Sequence, residues 1–368
     1  MTIHKPRRPA RIVPAPFAAV VLLLACAASG ARLSRPKHQS PPDLLHGLIE
    51  DARRDRKAVR VVGVHDALSA RIVQQQSGLL ACGGRVGLFV SGFGVSASRL
   101  GRPDASILTR SEIEDAARNV VRAVSNTHAT GLPPPPVLVD GDTGFGGAAN
   151  VRETIRRTAS IGAAAITIED QVFPKRCTYL AGSGIGVVSR AEATDRIGAA
   201  LAARDEALEA DGNPIFVVAR TDCRMALGLD EAIERCLAFQ DMGADVVYAE
   251  NLQSGEEYLA LRRAVTGGST ASEARGVAPM VLAQFQTGAE NQRLYSADEV
   301  GAMGYEMALY GVAGLQATVS ALRSAVSELL GEGSGGIVRS TPLSALDEIK
   351  EVVGFSDLDD FERRHGCT

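Results

Sequence analysis

The chain has 368 residues, 45% hydrophobic and 22% charged, with 39 basic and 43 acidic side chains and a formal net charge of −4. That is enough chain for one large globular domain or two ordinary ones, and the balance excludes the basic face a nucleic-acid partner requires. Tryptophan is absent and aromatics reach only 4%, while glycine supplies 38 residues, so the core is aliphatic and the chain turns tightly and often.

Residues 1–42 contain no Asp or Glu. Lys5, Arg7, Arg8 and Arg11 precede an apolar run over 17–28, and Arg32, Arg35 and Lys37 follow it. The run is shorter than the ~20 residues of a membrane-spanning helix, so stable membrane insertion of the mature chain is not expected. A basic stretch, a short apolar core and the small residues Ala25-Cys26-Ala27 resemble a signal peptide, and Arg-rich, acid-free sequence is also how organelle transit peptides look, so a cleaved presequence is expected, with import into a plastid or mitochondrion suggested. A disordered tail on a cytoplasmic protein is the alternative. The fold is read from Asp43 onward.

From there short aliphatic runs alternate with Ala-rich helical patterns. The spacing predicts strands over 59–66, 88–92, 137–142, 164–170, 215–222, 246–250, 280–285 and 307–310. Helices are expected over 111–124, 150–160, 190–210, 230–242, 255–265, 297–304 and 311–330. The first of these opens with Ser111 as a cap and with Glu112 and Glu114 against the helix dipole. In 230–242, Ile233, Cys236, Leu237 and Ala238 form one apolar stripe. Continuous runs such as Ile215-Phe216-Val217-Val218-Ala219 indicate strands buried on both faces, hence a parallel sheet. Eight strand–helix units over ~270 residues predict a TIM (β/α)8 barrel across 43–330; a doubly wound sheet is the alternative. Residues 331–368, with Gly331, Gly333, Gly335 and Gly336 and then a charged helical stretch, read as a C-terminal arm. The Gly-rich stretch 77–87 is long for a helix-to-strand connection and reads as an insertion.

In a barrel the chemistry sits where strands end. The predicted strands end in Asp66, Ser91-Gly92-Phe93-Gly94, Asp140-Gly141-Asp142, Glu169-Asp170, Arg220-Thr221-Asp222 and Glu250. Asp140 and Asp142, two apart in extended chain, share a face. With Glu169 they form a set of hard oxygen ligands whose mutual repulsion Mg²⁺, or Mn²⁺, would relieve. An isolated D-x-D can instead be a turn with side-chain capping. Arg220 ends an apolar strand, where a guanidinium needs an anion; its fork suits a substrate carboxylate, or a structural pair with Glu250 or Glu169. Cys177 follows Lys175 and Arg176, two cations that would lower a thiol's pKa and equip it as a proton donor or acceptor. Gly182, Gly184 and Gly186 just beyond suit a moving loop. Gly92-x-Gly94-x-x-Ala97 has the outline of a dinucleotide fingerprint, but Gly101 and Pro103 interrupt the helix it needs. Backbone amides of that loop would instead hold a carboxylate. His65 reads as a packed neighbour of Asp66. Cys26, Cys82, Cys177, Cys223, Cys236 and Cys367 form no C-x-x-C pair, which excludes a zinc cluster or disulfide framework.

The stretches HDALSARIV (65–73), SGFGVSASRLGRPD (91–104), DGDTGFGG (140–147), IEDQVFPKRC (168–177), VARTD (218–222) and YAE (248–250) together resemble the isocitrate lyase/phosphoenolpyruvate mutase superfamily. The resemblance covers roughly 59–330. It implies that Asp140 ligates the metal directly and that Asp142, Glu169 and Asp66 hold its waters. Ser91, Gly92 and Phe93 would receive the substrate carboxylate and carbonyl, Arg220 would fix a carboxylate and Glu250 would support it. Lyase members carry a K-[KR]-C-G-H loop whose Cys protonates the enolate; here Lys175, Arg176 and Cys177 match, and Thr178-Tyr179 stand in place of Gly-His. Gln284 stands where the lyases have an amide-bearing motif. The resemblance further implies a homotetramer in which the 312–368 region swaps between barrels. The expected activity is a magnesium-dependent carbon–carbon lyase acting on a small 2-hydroxy di- or tricarboxylate and releasing a 2-oxo acid. The alternatives are a phosphorylmutase, an oxaloacetate hydrolase or decarboxylase, and a non-catalytic barrel used for binding.

Overall fold

The computed structural model describes residues 39–79, 85–125, 134–178, 184–268, 276–288, 292–331 and 335–366. Eight short strands lie among them: β1 (Val59–Val64), β2 (Val86–Val90), β3 (Val137–Asp140), β4 (Ala165–Glu169), β5 (Phe216–Thr221), β6 (Val246–Ala249), β7 (Val281–Ala283) and β8 (Met307–Tyr310). Every hydrogen-bonded neighbour pair is parallel, in the order β6-β5-β4-β3-β2-β1-β8-β7. The ring is completed by a parallel bridge between Val247 and Met280, where Val247 N donates to Pro279 O at 3.0 Å. The chain therefore folds as the (β/α)8 barrel, and the doubly wound sheet is excluded.

Although these strands are apolar on both faces, alternate residues enter two different cores. Leu88, Val90, Val137, Val139, Ile166, Ile168, Val217 and Ala219 pack outward against the helices. Val59, Val61, Phe89, Leu138, Ala165, Val218, Val246, Tyr248, Met307 and Leu309 fill the barrel interior. The period-two pleat makes this division unavoidable, and it decides which side chains reach the site.

The outer helices are α2 (Ala67–Leu79), α4 (Arg110–Ser125), α5 (Ala148–Ile161), α6 (Arg190–Asp211), α8 (Leu229–Asp241), α9 (Gly255–Val265), α10 (Ala297–Ala302) and α11 (Ala313–Leu330). The turns α3 (Gly92–Val95) and α7 (Arg224–Leu227) lie at the mouth. α4 begins one residue before Ser111: its capping pair is Thr109 with Glu112, whose Oε2 accepts from Thr109 N at 2.8 Å. Ser111 is bypassed because Thr109 sits at the spacing a capping box needs.

One helix has no counterpart among the predicted elements. α1 (Pro41–Asp55) opens with Ser40 as N-cap, in a capping box with Asp43, and with Pro at its first positions. Leu45, Ile49 and Ala52, buried on one stripe, join the barrel's inner core. Arg53 Nε donates to Glu306 Oε1 at 2.9 Å, and Glu306 directly precedes β8. α1 thus stoppers the N-terminal end of the barrel. The presequence reading covers 1–42, of which 1–38 fall outside the described residues; so do 80–84 of the Gly-rich stretch and Cys26, Cys82 and Cys367.

The chain ends in α12 (Leu346–Val353) and α13 (Phe355–His365). Arg71 Nε donates to Val352 O at 3.0 Å, which holds α12 against α2. Both arm helices leave apolar side chains exposed, including Leu346 at 67% and Phe361 at 55%. Among the described residues no helix is long and apolar enough to cross a membrane.

Candidate active site

Following the inward parity of each strand past its last hydrogen bond gives the site. Leu138 leads to Asp140 and then Asp142; Ala165 leads to Thr167 and Glu169; Val218 leads to Arg220 and Asp222; Val246 leads to Tyr248 and Glu250. Register aligns them laterally, since Asp140 pairs with Thr167, Glu169 with Arg220, and Arg220 with Tyr248. All five acids at these strand ends are at least nine-tenths buried.

Asp140 is fixed by three donors. Its Oδ1 accepts from Thr167 Oγ1 at 3.2 Å and Asp142 N at 3.3 Å, and its Oδ2 accepts from Gly92 N at 3.1 Å. A Cβ on Gly92 would lie 2.9 Å from that oxygen, so only glycine permits the approach. Asp142 then adopts φ 47°, and Gly144 follows at φ 84° with no room for a Cβ beside Val151. That left-handed turn bends the chain away so that both carboxylates stay at the mouth.

Lys175 lies between the acids, its Nζ 2.6 Å from Asp142 Oδ1 and 2.9 Å from Asp104 Oδ2. Asp104, contributed by the β2 loop, is a partner that sequence reasoning missed. Arg220 holds Asp222 through both Nε (2.6 Å) and Nη2 (3.0 Å), lies 3.4 Å from Glu169 and 3.3 Å from Glu250, and stacks over the Tyr248 ring. Tyr248 in turn donates its hydroxyl to Glu250.

Burial raises the carboxyl pKa of Asp142 to about 7, with Asp140 and Asp104 adding to the effect against Lys175. Burial and Asp222 hold Glu169 well above the usual carboxylate range against Arg220 and Lys175. Burial also pushes Asp140 upward, but Lys175 and Arg220 outweigh it and leave Asp140 below its ordinary value. Lys175 and Arg220 stay charged: burial opposes them, and the surrounding carboxylates prevail.

The sequence-predicted residues do not all converge. Asp140, Arg220, Glu250, Lys175, Arg176, Cys177, Ser91 and Phe93 line one cavity. Asp142 meets it through Lys175, Glu169 through Arg220, and Gly92 through Asp140. Asp66 stands apart: its side chain is half exposed and its Oδ1 accepts from Ser69 N at 2.7 Å, capping α2. Gln284 is committed to Tyr295, donating to its carbonyl at 2.6 Å and accepting from its N–H at 2.8 Å. It ties the end of β7 to the segment before α10. Lys175 turns its ammonium to carboxylates and Arg176 is exposed, and both line the cavity with Cys177. Thr178 is buried beside Cys177, and Tyr179 lies outside the described residues. Phe285, Leu309 and Gly311 supply an apolar wall that no motif announced.

A cation fits the chemistry of this set. Among the described residues, Asp104, Asp140, Asp142, Glu169, Asp222 and Glu250 face two buried cations, Lys175 and Arg220. Both Glu169 oxygens are buried without a hydrogen-bond donor, Arg220 Nε standing 3.4 Å from Oε2. Such orphaned oxygens are costly unless a charge answers them. Among the described residues no three acidic, His or Cys side chains yet stand at coordination spacing, because the Lys175 ammonium sits between Asp142 and Asp104.

A parallel eight-stranded barrel with buried acids and an arginine at its C-terminal mouth defines a class of enzyme that handles small anions. Comparison with known proteins narrows that class. The family described as phosphoenolpyruvate phosphomutase matches residues 50–330. The chain belongs to this family, within the isocitrate lyase/PEP mutase superfamily, whose activities are lyase and mutase reactions on small carboxylates. It is 32% identical over 314 residues to 2,3-dimethylmalate lyase of Eubacterium barkeri, spanning 84% of this chain and 94% of that one. Its fold matches oxaloacetate acetylhydrolase in complex with 3,3-difluorooxalacetate at TM-score 0.73 and 30% identity, over 89% of this chain and 97% of that one. It also matches phosphonopyruvate hydrolase in complex with oxalate and Mg²⁺ at TM-score 0.67 and 27% identity, over 89% and 99%.

Proposed function

We propose that this protein is a carbon–carbon lyase cleaving a small 2-hydroxy di- or tricarboxylate of the alkylmalate or methylisocitrate kind to a 2-oxo acid and a second carboxylic acid. The observation that carries this reading is the position of Cys177, in one cavity with Arg220 and Asp140 and with the apolar wall of Phe285 and Leu309. A lyase needs a proton donor facing the carbon that leaves, and an alkyl substituent needs an apolar wall. The likeness to a dimethylmalate lyase supports the same choice.

In this reading Arg220 orients a substrate carboxylate through its fork, and the amides around Ser91 and Phe93 receive polar oxygens. A buried carboxylate accepts the proton of the 2-hydroxyl, the bond between carbons 2 and 3 breaks, and carbon 2 becomes a carbonyl. The electron pair passes onto the fragment bearing the other carboxylate, and the Cys177 thiol returns a proton to its carbon. Asp140, with Asp142 and Glu169 through waters, would hold Mg²⁺ or Mn²⁺, which when bound supplies positive charge where oxygen becomes negative. A structure of a related hydrolase with oxalate and Mg²⁺ supports that assignment.

A second reading, hydrolysis of oxaloacetate, draws on Thr178 next to Cys177 and on the likeness to oxaloacetate acetylhydrolase. One assay separates the two. The protein is given 2,3-dimethylmalate, 2-methylisocitrate, isocitrate, oxaloacetate and phosphonopyruvate with Mg²⁺, and again with EDTA. Metal-dependent 2-oxo acid from an alkylmalate or isocitrate establishes the lyase; oxalate from oxaloacetate alone establishes the hydrolase and overturns it. We also propose a homotetramer in which the arm packs on a neighbouring barrel, supported by the exposed apolar side chains of α11, α12 and α13.

A further inference from the structure

Gln171 is the third residue of the Glu169-Asp170-Gln171 run and is buried at the mouth. Its side-chain amide faces two partners that fix its orientation without ambiguity. Nε2 donates to Asp222 Oδ2 at 2.5 Å, a carboxylate that can only accept, and Oε1 accepts from Arg176 N at 2.9 Å, a main-chain amide that can only donate. Asp222 is the residue that grips Arg220 through both oxygens. A continuous hydrogen-bonded path therefore runs from the Arg220 guanidinium through Asp222 and Gln171 to the main chain directly before Cys177.

The ground under Gln171 is rigid. Gln171 pairs antiparallel with Val187, and Val188 N donates to Asp170 O at 2.9 Å, so the loop leaves β4 and returns as a two-residue stem. Arg235 of α8, 1% exposed, clamps both sides of that stem: Nη1 to Asp170 Oδ2 and Nη2 to Val188 O, each 2.9 Å. Arg196 Nη1 adds bonds to the carbonyls of Glu169 and Gln171. Beyond the stem the main chain of 175–176 is tied by Ser106 Oγ on Lys175 N and by Gln171 on Arg176 N, and the Lys175 side chain by its pairs with Asp142 and Asp104. The segment lines the same cavity as Arg220 and Asp140.

We propose that Gln171 is a positioning residue: its amide couples the setting of Arg220 to the placement of the Cys177 thiol. The link to turnover rests on the lyase reading above; the coupling within the protein does not.

The test reads alkylation of individual cysteines by N-ethylmaleimide on the full chain, followed by peptide mass spectrometry. Cys223 and Cys236, fully buried, report general loosening within the same molecules. In Gln171→Leu the Cys177 rate should rise roughly fivefold or more, the scale of one lost hydrogen bond, while Cys223 and Cys236 stay protected. Protection of Cys177 by oxalate with Mg²⁺ should weaken. Gln171→Glu puts a charge against Asp222 but becomes a hydrogen-bonding match for glutamine when protonated. Its Cys177 rate, taken as a ratio to the unmodified protein at each pH, should return toward one as pH falls. Where a substrate is turned over, kcat should fall more than KM changes. A Cys177 rate within twofold of the unmodified protein in Gln171→Leu, or a rise shared equally by all three cysteines, overturns the proposal. Silence on every substrate with the Cys177-specific change intact removes only the lyase reading.

Discussion

Lys175 shows how a single side chain sets the balance at the mouth. It is buried between Asp142 and Asp104, and removing one partner of a buried ion group leaves the others uncompensated. Lys175→Met keeps the volume and deletes the charge, so it should lower stability by about 3–5 kcal/mol in urea unfolding; a loss below about 1 kcal/mol would mean the acids are answered by protons or water instead. Arg220→Lys retains a charge but not the fork. It should reduce kcat/KM by roughly 10- to 150-fold, the equivalent of a charged hydrogen bond worth about 1.5–3 kcal/mol, with little change in thermal midpoint. Inward parity made Asp140, Arg220 and Glu250 legible in the sequence, since residues two apart on a strand share a face whatever else the fold does. Asp104 and Gln171 were not legible, because their partners lie 71 and 51 residues away and no local pattern encodes such pairings. Asp66 and Gln284 each have a local use, a helix cap and a loop tie, that a strand-end position does not announce.

At the scale of elements, strands were read more reliably than helix starts. Runs such as 215–219 leave no other reading, whereas caps compete at neighbouring positions, as Thr109 and Ser111 do. α1 went unread although its signals are plain: Ser40-Pro41-Pro42-Asp43 is a capping box with prolines at the first turn, followed by apolar residues at helical spacing. The basic, apolar segment before it drew the boundary too far along. The arm's attachment is also a matter of one element end. Glu328 of α11 accepts from the N–H groups of Arg339, Ser340 and Thr341 at 2.6–2.8 Å, and these bonds lower its carboxyl pKa to about 2. A depressed folded-state value means the tie is fully present above the unfolded carboxyl value of ~4.3 and is lost as pH falls through that value toward 2. Hydrogen-exchange protection of the 339–341 amides should therefore be constant from pH 8 to about 5 and fall below that. Glu328→Gln should show the low protection at every pH, and a mutant that exchanges like the unmodified chain at pH 7 would refute the tie.

The whole molecule divides its apolar surface unevenly. Strand parity buries two cores, and α1 seals one end of the barrel. The last three helices differ. Leu322, Leu330, Leu343, Leu346, Leu358 and Phe361 are each more than half exposed, and a space of about 1320 Å³ opens between α2, α4 and α13. A patch of that extent on a lone chain is an interface or a liability. It was legible only as a charged, glycine-led tail, because an amphipathic helix shows one apolar stripe whether the cover comes from its own chain or another. If copies cover one another, the full chain should scatter light as a multiple of its own mass across a hundredfold dilution. Truncation after residue 336, which deletes α12 and α13 and leaves every mouth residue in place, should lower that multiple while the far-ultraviolet spectrum keeps the barrel's signature. A full-length chain that is monomeric at every concentration would show that water, not protein, covers these helices, and the arm would then be an appendage of the single barrel.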